Sequence, residues 1–243
     1  MAKRDIRIGT AGWAISSRYA EQFPGAGTHL RRYSLVLNCA EINSSFYRPH
    51  MRKTYERWAA STPRSFRFSV KLPKAITHEQ RLRDPDVVLD RFADEVDGLG
   101  DKLGVVLVQL PPALPFDEPV AGRFFTALAQ RLYAPAVCEP RHRSWFTPEA
   151  DAWLAERRIA RAAADPIPAP HASEPGGWRG ITYIRLHGSP RMYYSAYEPP
   201  FISALGRRLE AERVPAWCIF DNTAEGAALG DALSVVNKLK VMA

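Results

Sequence analysis

The 243-residue chain is poor in cysteine, with only Cys39, Cys138 and Cys218. An odd number of widely separated cysteines without a C-x-x-C pair does not suit a disulfide framework, nor a zinc or iron–sulfur site with clustered ligands. Each cysteine lies within an apolar run, so we predict buried free thiols, which pack like small hydrophobic side chains. Such cysteine usage is typical of a reducing compartment.

Long apolar segments are also missing. No stretch approaches the roughly 18 residues of a membrane span, and residues 1–5 lack the apolar core of a signal peptide. We therefore predict a cytoplasmic protein that has no membrane partner.

Several catalytic signatures are absent as well. The sequence has no glycine-rich phosphate loop, no serine or cysteine in a nucleophile elbow, and no H-x-H or H-E-x-x-H spacing. These absences exclude the enzyme classes that those motifs define.

The net charge of +7 permits an acidic partner, such as nucleic acid or a phosphorylated metabolite. Much of the arginine stands in pairs such as Arg31-Arg32 and Arg207-Arg208, which a solvated helix face also explains. No lysine-rich tail or RNA-binding motif is present, so the charge alone does not decide between these partners.

What the chain does contain is a strand–helix alternation that repeats eight times. The predicted strands are residues 6–11, 35–43, 66–72, 105–110, 136–141, 159–165, 181–187 and 216–222. The predicted helices are residues 54–61, 87–98, 120–132, 150–157, 201–212 and 224–239. This alternation predicts an α/β fold with a parallel sheet, and eight units predict one (β/α)8 TIM barrel over residues 1–243. The long irregular segment 166–180 is predicted to be a functional or mobile loop.

The predicted strands end on polar residues, and the carboxyl ends of barrel strands meet at one face. Side chains alternate along a strand, and a charge is costly in the apolar helix layer, so the charged face of each strand should point inward. The inward sets are Arg67, Ser69 and Lys71 in the third strand, Arg161, Ala163 and Asp165 in the sixth, and Tyr183, Arg185 and His187 in the seventh. Near the carboxyl ends this predicts an inner group of Glu41, Asn43, Lys71, Gln109, Glu139, Arg141, Asp165, Arg185, His187 and Asp221.

Two interpretations of this inner group remain open. Buried charges need partners, so the group could be a salt-bridge network that only fills the barrel. Clustered ionisable groups in a cleft are also where functional sites occur. We predict a functional pocket and keep the structural network as the alternative.

Seven sets of residues, in order along nearly the whole chain, resemble one known family. They are GTAGW (9–13), EINSSFYR (41–48), FSVK (68–71) with Thr77 and His78, LG (103–104) with QLPP (109–112), EPRH (139–142) with Ser144 and Trp145, YIRLHG (183–188), and FDNT (220–223) with Gly226. They are similar to the DUF72, or YecE-like, family. The resemblance implies a TIM barrel and leaves the biochemical activity open.

The inner residues suit acid–base chemistry on an anion. Three of them, Lys71, Arg141 and Arg185, are expected to bind a phosphate or carboxylate. Histidine titrates near neutrality, and a carboxylate pair can act as general acid and base, as in glycoside cleavage. We predict Glu41, Glu139 and His187 as catalytic residues. The predicted ligand-binding residues are Trp13, Asn43, Tyr47, Lys71, His78, Gln109, Arg141, His142, Asp165, Arg185, Tyr193, Asp221 and Asn222.

Aromatic residues follow several strands and could form a ligand wall for a sugar, a base or a single nucleic-acid strand. They are Trp13, Phe46, Tyr47, Trp145, Tyr193, Tyr194 and Tyr197. Ordinary loop packing is the alternative for each of them.

The favoured hypothesis is a hydrolase or lyase that acts on a phosphorylated, sugar-like or nucleotide-like molecule without a cofactor. A divalent metal is less favoured, because arginine and lysine beside the acids oppose a cation. The alternatives are a nucleic-acid-binding or repair-associated protein and a non-catalytic sensor of a small anion. The oligomeric state stays open.

Overall fold

The computed structural model describes residues 5–242, over which the chain forms ten strands and seven α-helices. The strands are β1 (Ile6–Thr10), β2 (Cys39–Ile42), β3 (Arg67–Lys71), β4 (Leu103–Gln109), β5 (Ala136–Glu139), β6 (Ala160–Arg161), β7 (Ala163–Asp165), β8 (Gly176–Gly177), β9 (Thr182–Leu186) and β10 (Ala216–Phe220). The helices are α1 (His29–Tyr33), α2 (Arg52–Ala60), α3 (Asp86–Asp97), α4 (Glu118–Arg131), α5 (Pro148–Glu156), α6 (Pro199–Ala211) and α7 (Ala227–Met242).

Side-chain caps explain where several helices begin. Asp117 accepts a hydrogen bond from the backbone N–H of Val120 at the start of α4, and Thr147 caps α5 in the same way. Helix α3 differs, because Pro85 precedes it and no side chain caps it. Helix α1, capped by Thr28, was not predicted because it is only five residues long.

The strands form two sheets, which confirms the predicted α/β fold with parallel strands. One sheet has the order β1-β10-β9-β7, and the other has the order β2-β3-β4-β5-β6-β8. All neighbouring strands are parallel except β6 and β8. Between the sheets, Ala11 forms a parallel bridge with Glu41, and the Gly12 N–H donates to the Glu41 carbonyl.

The sixth predicted strand is divided at Ala162, so that β6 pairs with β5 and β7 pairs with β9. The predicted loop 166–180 contains β8, which runs antiparallel to β6. A single run of chain therefore contributes to both sheets.

Two apolar layers surround the strands. The smaller layer lies between the facing sheets and contains Cys39, Val105, Leu107, Val137, Ala160, Ala162, Ile181, Tyr183, Trp217 and Ile219. Tyr183 in β9 shares a hydrogen bond of 2.8 Å with Ser69 in β3, which belongs to the other sheet. The larger layer packs the outer strand faces, including Phe68 and Val70, against the helices.

The inward-facing assignment is wrong for the sixth predicted strand. Ala160 and Ala162 face the inner layer, whereas Ala163 packs in the outer one. Arg161 forms an ion pair of 2.9 Å with Asp151 of α5, and its guanidinium lies over the Phe146 ring. A charge therefore lies in the helix layer here because it has a carboxylate partner there.

The three cysteines are buried and free, as predicted. Burial raises the pKa of each thiol, which keeps all three thiols protonated. Within residues 5–242, no helix is both long enough and apolar enough to cross a membrane.

Candidate functional site

Seven ionisable side chains from five strand ends meet between the two sheets. We call them the carboxyl-end cluster: Glu41, Lys71, Glu139, Arg141, Arg185, His187 and Asp221. They come together because parallel strands carry them on the inner face at their carboxyl ends. All except Arg141 are buried, and Arg141 is mostly buried.

Arg185 is the centre of this cluster. Its Nε and Nη2 atoms donate to the two Glu41 carboxylate oxygens at 3.0 and 2.7 Å. Nη2 also lies 3.0 Å from Asp221 Oδ2, and Nη1 lies 3.4 Å from Glu139 Oε2. Burial alone would lower the pKa of Arg185, but the three carboxylates hold it well above its ordinary value. The guanidinium is therefore a permanent charge that joins three acids.

Glu41 is held on both oxygens. Arg185 occupies both, and the Tyr183 hydroxyl donates a further hydrogen bond of 3.0 Å to Oε2. Burial and the Glu41 charge raise the pKa of Tyr183 well above its ordinary value, so this hydroxyl remains a donor. These contacts suit a fixed counter-ion better than the predicted catalytic role of Glu41. The roles of Tyr183 and Ser69 were not predicted, although strand alternation places both on the inner face.

His187 lies between two carboxylates. Its Nδ1 is 3.0 Å from Asp221 Oδ2, and its Nε2 is 3.1 Å from Glu139 Oε1. Arg141 Nη2 also reaches Nε2 and donates to the same Glu139 oxygen. An Nδ1–H proton donated to Asp221 leaves Nε2 free to accept from Arg141, and a second proton on Nε2 would point at Glu139. Both ring nitrogens therefore have hydrogen-bond partners, which suits a general acid–base residue.

The two carboxylates beside His187 are ionised at neutral pH. Burial alone would raise the pKa of Glu139, but Arg141, Arg185 and His187 hold it well below its ordinary value. Burial alone would also raise the pKa of Asp221, but Arg185 and the hydrogen bond from His187 hold it below its ordinary value. Both groups therefore accept hydrogen bonds rather than donate them.

Lys71 differs from the other cations because its ammonium group has no hydrogen-bond or ion-pair partner among residues 5–242. The residue is 6% exposed, and Nζ lies 4.0 Å from the centre of the Phe46 ring. Burial and the nearby Arg185 lower the pKa of Lys71 to about 8, against the opposing effect of Glu41 and Glu139.

Tyr193 lies at the solvent side of the cluster. Its ring stands nearly perpendicular to the His187 imidazole, with 5.7 Å between the ring centres. Tyr193 is 45% exposed whereas His187 is 1% exposed, and the Tyr193 backbone has a φ of 69°. Non-glycine residues rarely adopt that conformation, and it is often found at functional sites.

Four other predicted site residues bond elsewhere. Asp165 accepts from the Tyr197 hydroxyl at 2.8 Å, and its predicted place in the inner group is wrong because the sixth strand faces the other way. Asn222 donates to Asp231 and to the Ser195 carbonyl. The His142 side chain caps a short helix by accepting a hydrogen bond from the Ser144 N–H. Gln109 donates to the adjacent Leu110 carbonyl.

The remaining predicted residues lie at the edge of the cluster or away from it. The His78 ring packs on Phe46, next to Lys71. Trp13 packs edge-on against Trp58 and Phe68 of the outer core, and Tyr47 is exposed. A polar atom of Asn43, Oδ1, is buried without a partner within the described part of the chain.

Two of the aromatic residues predicted to form a ligand wall pack inside the fold instead. The indole of Trp145 is buried and donates to the Leu114 carbonyl, and Tyr197 is buried against Phe201. Tyr193 and Tyr194 remain near the surface, and the Arg191 guanidinium lies 3.7 Å from the Tyr194 ring centre.

Two sizeable cavities occur in the described part of the chain, and no residue of the cluster lines either of them. One, of about 630 Å³, is bounded by residues that include Ser16, Tyr194 and Ser234. The other, of about 390 Å³, is bounded by residues that include Phe46 and Lys74. No sequence motif signalled either cavity.

A profile described as "Protein of unknown function DUF72" matches residues 7–243 of the chain. The UPF0759 protein YunF of Bacillus subtilis is 28% identical over 149 residues, which is 59% of this chain and 53% of YunF. The UPF0759 protein YecE of Escherichia coli K12 is 30% identical over 102 residues, which is 42% of this chain and 38% of YecE. The aligned part therefore spans about half of YunF and less of YecE.

Solved structures share the fold at low identity. A DUF72 family protein from Enterococcus faecalis is 18% identical with a TM-score of 0.81, covering 97% of this chain and 95% of that one. A DUF72 family protein from Thermotoga maritima is 20% identical with a TM-score of 0.78, covering 97% and 99%. A sugar phosphate isomerase/epimerase from Parabacteroides distasonis is 12% identical with a TM-score of 0.51, covering 97% and 94%. The sequence match over residues 7–243 establishes that this chain belongs to the DUF72 family.

Proposed function

We propose that the chain is an enzyme of hydrolase or lyase type that performs acid–base chemistry on an anionic small molecule at the carboxyl-end cluster. The observation that carries this proposal is the position of His187 between Glu139 and Asp221, with Arg141 at its Nε2. A network that served packing alone would not need an imidazole between two carboxylates.

We propose that the site stands on a single (β/α)8 barrel, to which the described residues 5–242 belong. Two observations support closure: Ala11 bridges to Glu41 between β1 and β2, and β6 continues through Ala162 into β7 of the other sheet. If the barrel closes, the cluster lies at its carboxyl-terminal mouth, where barrels carry their active sites.

Each residue of the site has a proposed role. Asp221 holds Nδ1–H of His187, and Nε2 takes or returns the substrate proton. Lys71 and Arg141 bind the anionic group, because their remaining N–H donors lack protein partners within residues 5–242. Arg185 and Glu41 form the rigid frame between the sheets rather than a clamp.

The substrate class follows from the same donors. An ammonium and a guanidinium in one cluster suit phosphate, and a phosphorylated sugar or nucleotide also supplies hydroxyl protons for His187. The name of the Parabacteroides protein, whose fold this chain shares, makes sugar phosphates the first class to test.

The donor set does not fit a divalent metal. Both oxygens of Glu41 and Glu139 and the Oδ2 atom of Asp221 are contacted by Arg185, Arg141 or His187. In residues 5–242, no group of three or more His, Cys, Asp or Glu side chains has an arrangement suited to metal binding.

Thermal unfolding with sugar phosphates, nucleotides and simple carboxylates at constant ionic strength tests the binding proposal. A ligand at about 100 times its Kd stabilises the protein by about 2.7 kcal/mol. We expect this stabilisation in the wild type and in an Arg191→Met control, and its loss in Arg141→Met. Equal stabilisation in both variants would place the anion elsewhere, and no stabilisation by any of these ligands would contradict the proposal.

A nucleic-acid-binding function is the second candidate, because Arg191 stacks on Tyr194 beside the exposed Tyr193. Binding that follows phosphates should weaken steeply as salt rises. We would abandon this candidate if neither DNA nor RNA bound at low salt. A non-catalytic sensor would be indicated by a ligand that stabilises the chain and is never converted.

A further inference from the structure

Lys71 and Lys102 show two ways of placing a lysine below the surface. Lys102 Nζ donates to the Ala59 carbonyl at 2.6 Å, to the Thr62 carbonyl at 2.6 Å and to the Thr62 hydroxyl at 2.8 Å. Lys71 is more buried, yet its Nζ has no such partner in the part of the chain that the structure describes; it only faces the Phe46 ring. Buried ammonium groups are normally paired, so the free Nζ at a strand end calls for a functional explanation.

Charge balance favours a cation at this position. Glu41, Glu139 and Asp221 carry three negative charges, which Arg141, Arg185 and Lys71 balance. Lys71 is close enough to Glu41, Glu139 and Asp221 for their charges to affect its pKa. If a substrate group forms a bond to Nζ, the charge balance of the cluster is preserved only when the bonded nitrogen keeps its positive charge.

We propose that the substrate carries an aldehyde or ketone and that Lys71 Nζ bonds covalently to its carbonyl carbon as a protonated imine. This inference rests on the proposed function, because it assigns the substrate class and a covalent step to the same site. Lys71 then takes this covalent role in place of the anion-binding role given to it above, and Arg141 alone binds the anionic group of that substrate.

The step balances without an oxidant or a reductant. The neutral amine adds to the carbonyl carbon, the C–N bond forms, and the carbonyl oxygen takes a proton to give a carbinolamine. Loss of that oxygen as water leaves a protonated carbon–nitrogen double bond. In sum, the carbonyl compound and the lysine ammonium group become a protonated imine and one molecule of water. His187 is the acid–base residue of the cluster that can supply and remove the protons.

The amine is available near neutral pH. Since burial and Arg185 lower the pKa of Lys71 to about 8, about a tenth of the amine is neutral at pH 7, against less than about a thousandth for an ordinary lysine. The imine would also activate a neighbouring C–H or C–C bond by accepting its electron pair. This reactivity agrees with the lyase class rather than the hydrolase class.

Reductive trapping tests the inference on the full wild-type chain. Glyoxylate and glyceraldehyde 3-phosphate would be incubated with the protein and cyanoborohydride, and each modified lysine would be identified by peptide mass spectrometry. We expect Lys71 to be modified at least about tenfold faster than the exposed Lys74, and its rate to level off above pH 8. A competing phosphorylated ligand should slow the modification of Lys71 and leave the modification rate of Lys74 unchanged.

The outcomes separate the two proposals. Modification of Lys71 no faster than Lys74, in a protein that anionic ligands stabilise, would overturn the imine and leave the proposed function standing. Modification of Lys71 no faster than that of Lys74, in a protein that no anionic ligand stabilises, would overturn both the imine and the proposed function. Because the wild type alone is measured, the test does not depend on the folding of a Lys71 variant.

Discussion

Arg185 and Glu41 form a two-point ion pair, 3.0 and 2.7 Å long, between β9 of one sheet and β2 of the other. Both side chains are buried, and Arg185 also contacts Glu139 and Asp221. The pair therefore joins the two sheets at the level of the proposed active site.

Replacement of Arg185 by methionine should destabilise the protein by about 3–5 kcal/mol, because three buried carboxylates lose a shared cation. Urea unfolding at neutral pH measures this loss. Arg52 is the matched control, since it also contacts three carboxylates, on Glu56, Asp94 and Asp97, but at the surface. Arg52→Met should change stability little. Equal losses of stability in Arg185→Met and Arg52→Met would show that burial does not govern the strength of the Arg185–Glu41 pair.

Lys71→Met should stabilise the protein at pH 7 by on the order of 3 kcal/mol, because burial and Arg185 disfavour the ammonium group more than Glu41, Glu139 and Asp221 favour it. Since the folded pKa of Lys71 is about 8 and its ordinary value is 10.5, the unfolded chain binds more protons between these pH values. Wild-type stability relative to the variant should therefore rise from pH 8 to about 10.5 and fall as pH decreases towards 8. Denaturant unfolding of both proteins across this range measures the difference, and a constant difference would contradict the account.

Glu139→Gln should cost about 3 kcal/mol at pH 7, because Arg141, Arg185 and His187 lose a common carboxylate. The folded pKa of Glu139 lies well below its ordinary value of 4.5, so its contribution is present above pH 4.5 and is lost as pH falls through the folded pKa. The wild type and the variant should therefore approach each other in stability at acidic pH. Acid unfolding followed by circular dichroism measures this, with the exposed Glu156→Gln as control. A variant that remained equally destabilised at low pH would argue for a packing effect instead.

Tyr183→Phe should destabilise the protein by about 1–2 kcal/mol, because Ser69 and Glu41 each lose a buried hydrogen bond. Thermal and urea unfolding would be compared with those of Tyr133→Phe, whose hydroxyl is exposed. An unchanged stability in Tyr183→Phe would mean that water replaces the hydroxyl between the sheets.

Strand alternation predicted most of the cluster from the sequence. Lys71, Glu139, Arg185 and His187 point inward as expected, because the opposite face of each strand is apolar and packs against helices. The rule failed in the sixth strand, where Arg161 found Asp151 in the helix layer. That pairing depends on α5 packing, which a strand pattern does not contain.

The contacts of each charge could not be predicted. The sequence placed Lys71, Arg141 and Arg185 together as equal anion clamps. Among residues 5–242, however, the guanidinium of Arg185 contacts three acids and the ammonium of Lys71 contacts none. This difference arises from ångström-scale distances between strands that are far apart in sequence. The aromatic wall was overpredicted for the same reason, since Trp145 and Tyr197 bond within the fold.

Substrate conversion by the wild type and by His187→Gln tests the central claim most directly. A mixture of phosphorylated sugars and nucleotides would be incubated with each protein and followed by mass spectrometry, with the exposed His171→Gln as control. We expect the wild type and His171→Gln to consume at least one compound at equal rates, and His187→Gln to be at least about 100-fold slower. Consumption at the same rate by all three proteins, or by none of them, would contradict an acid–base enzyme centred on His187.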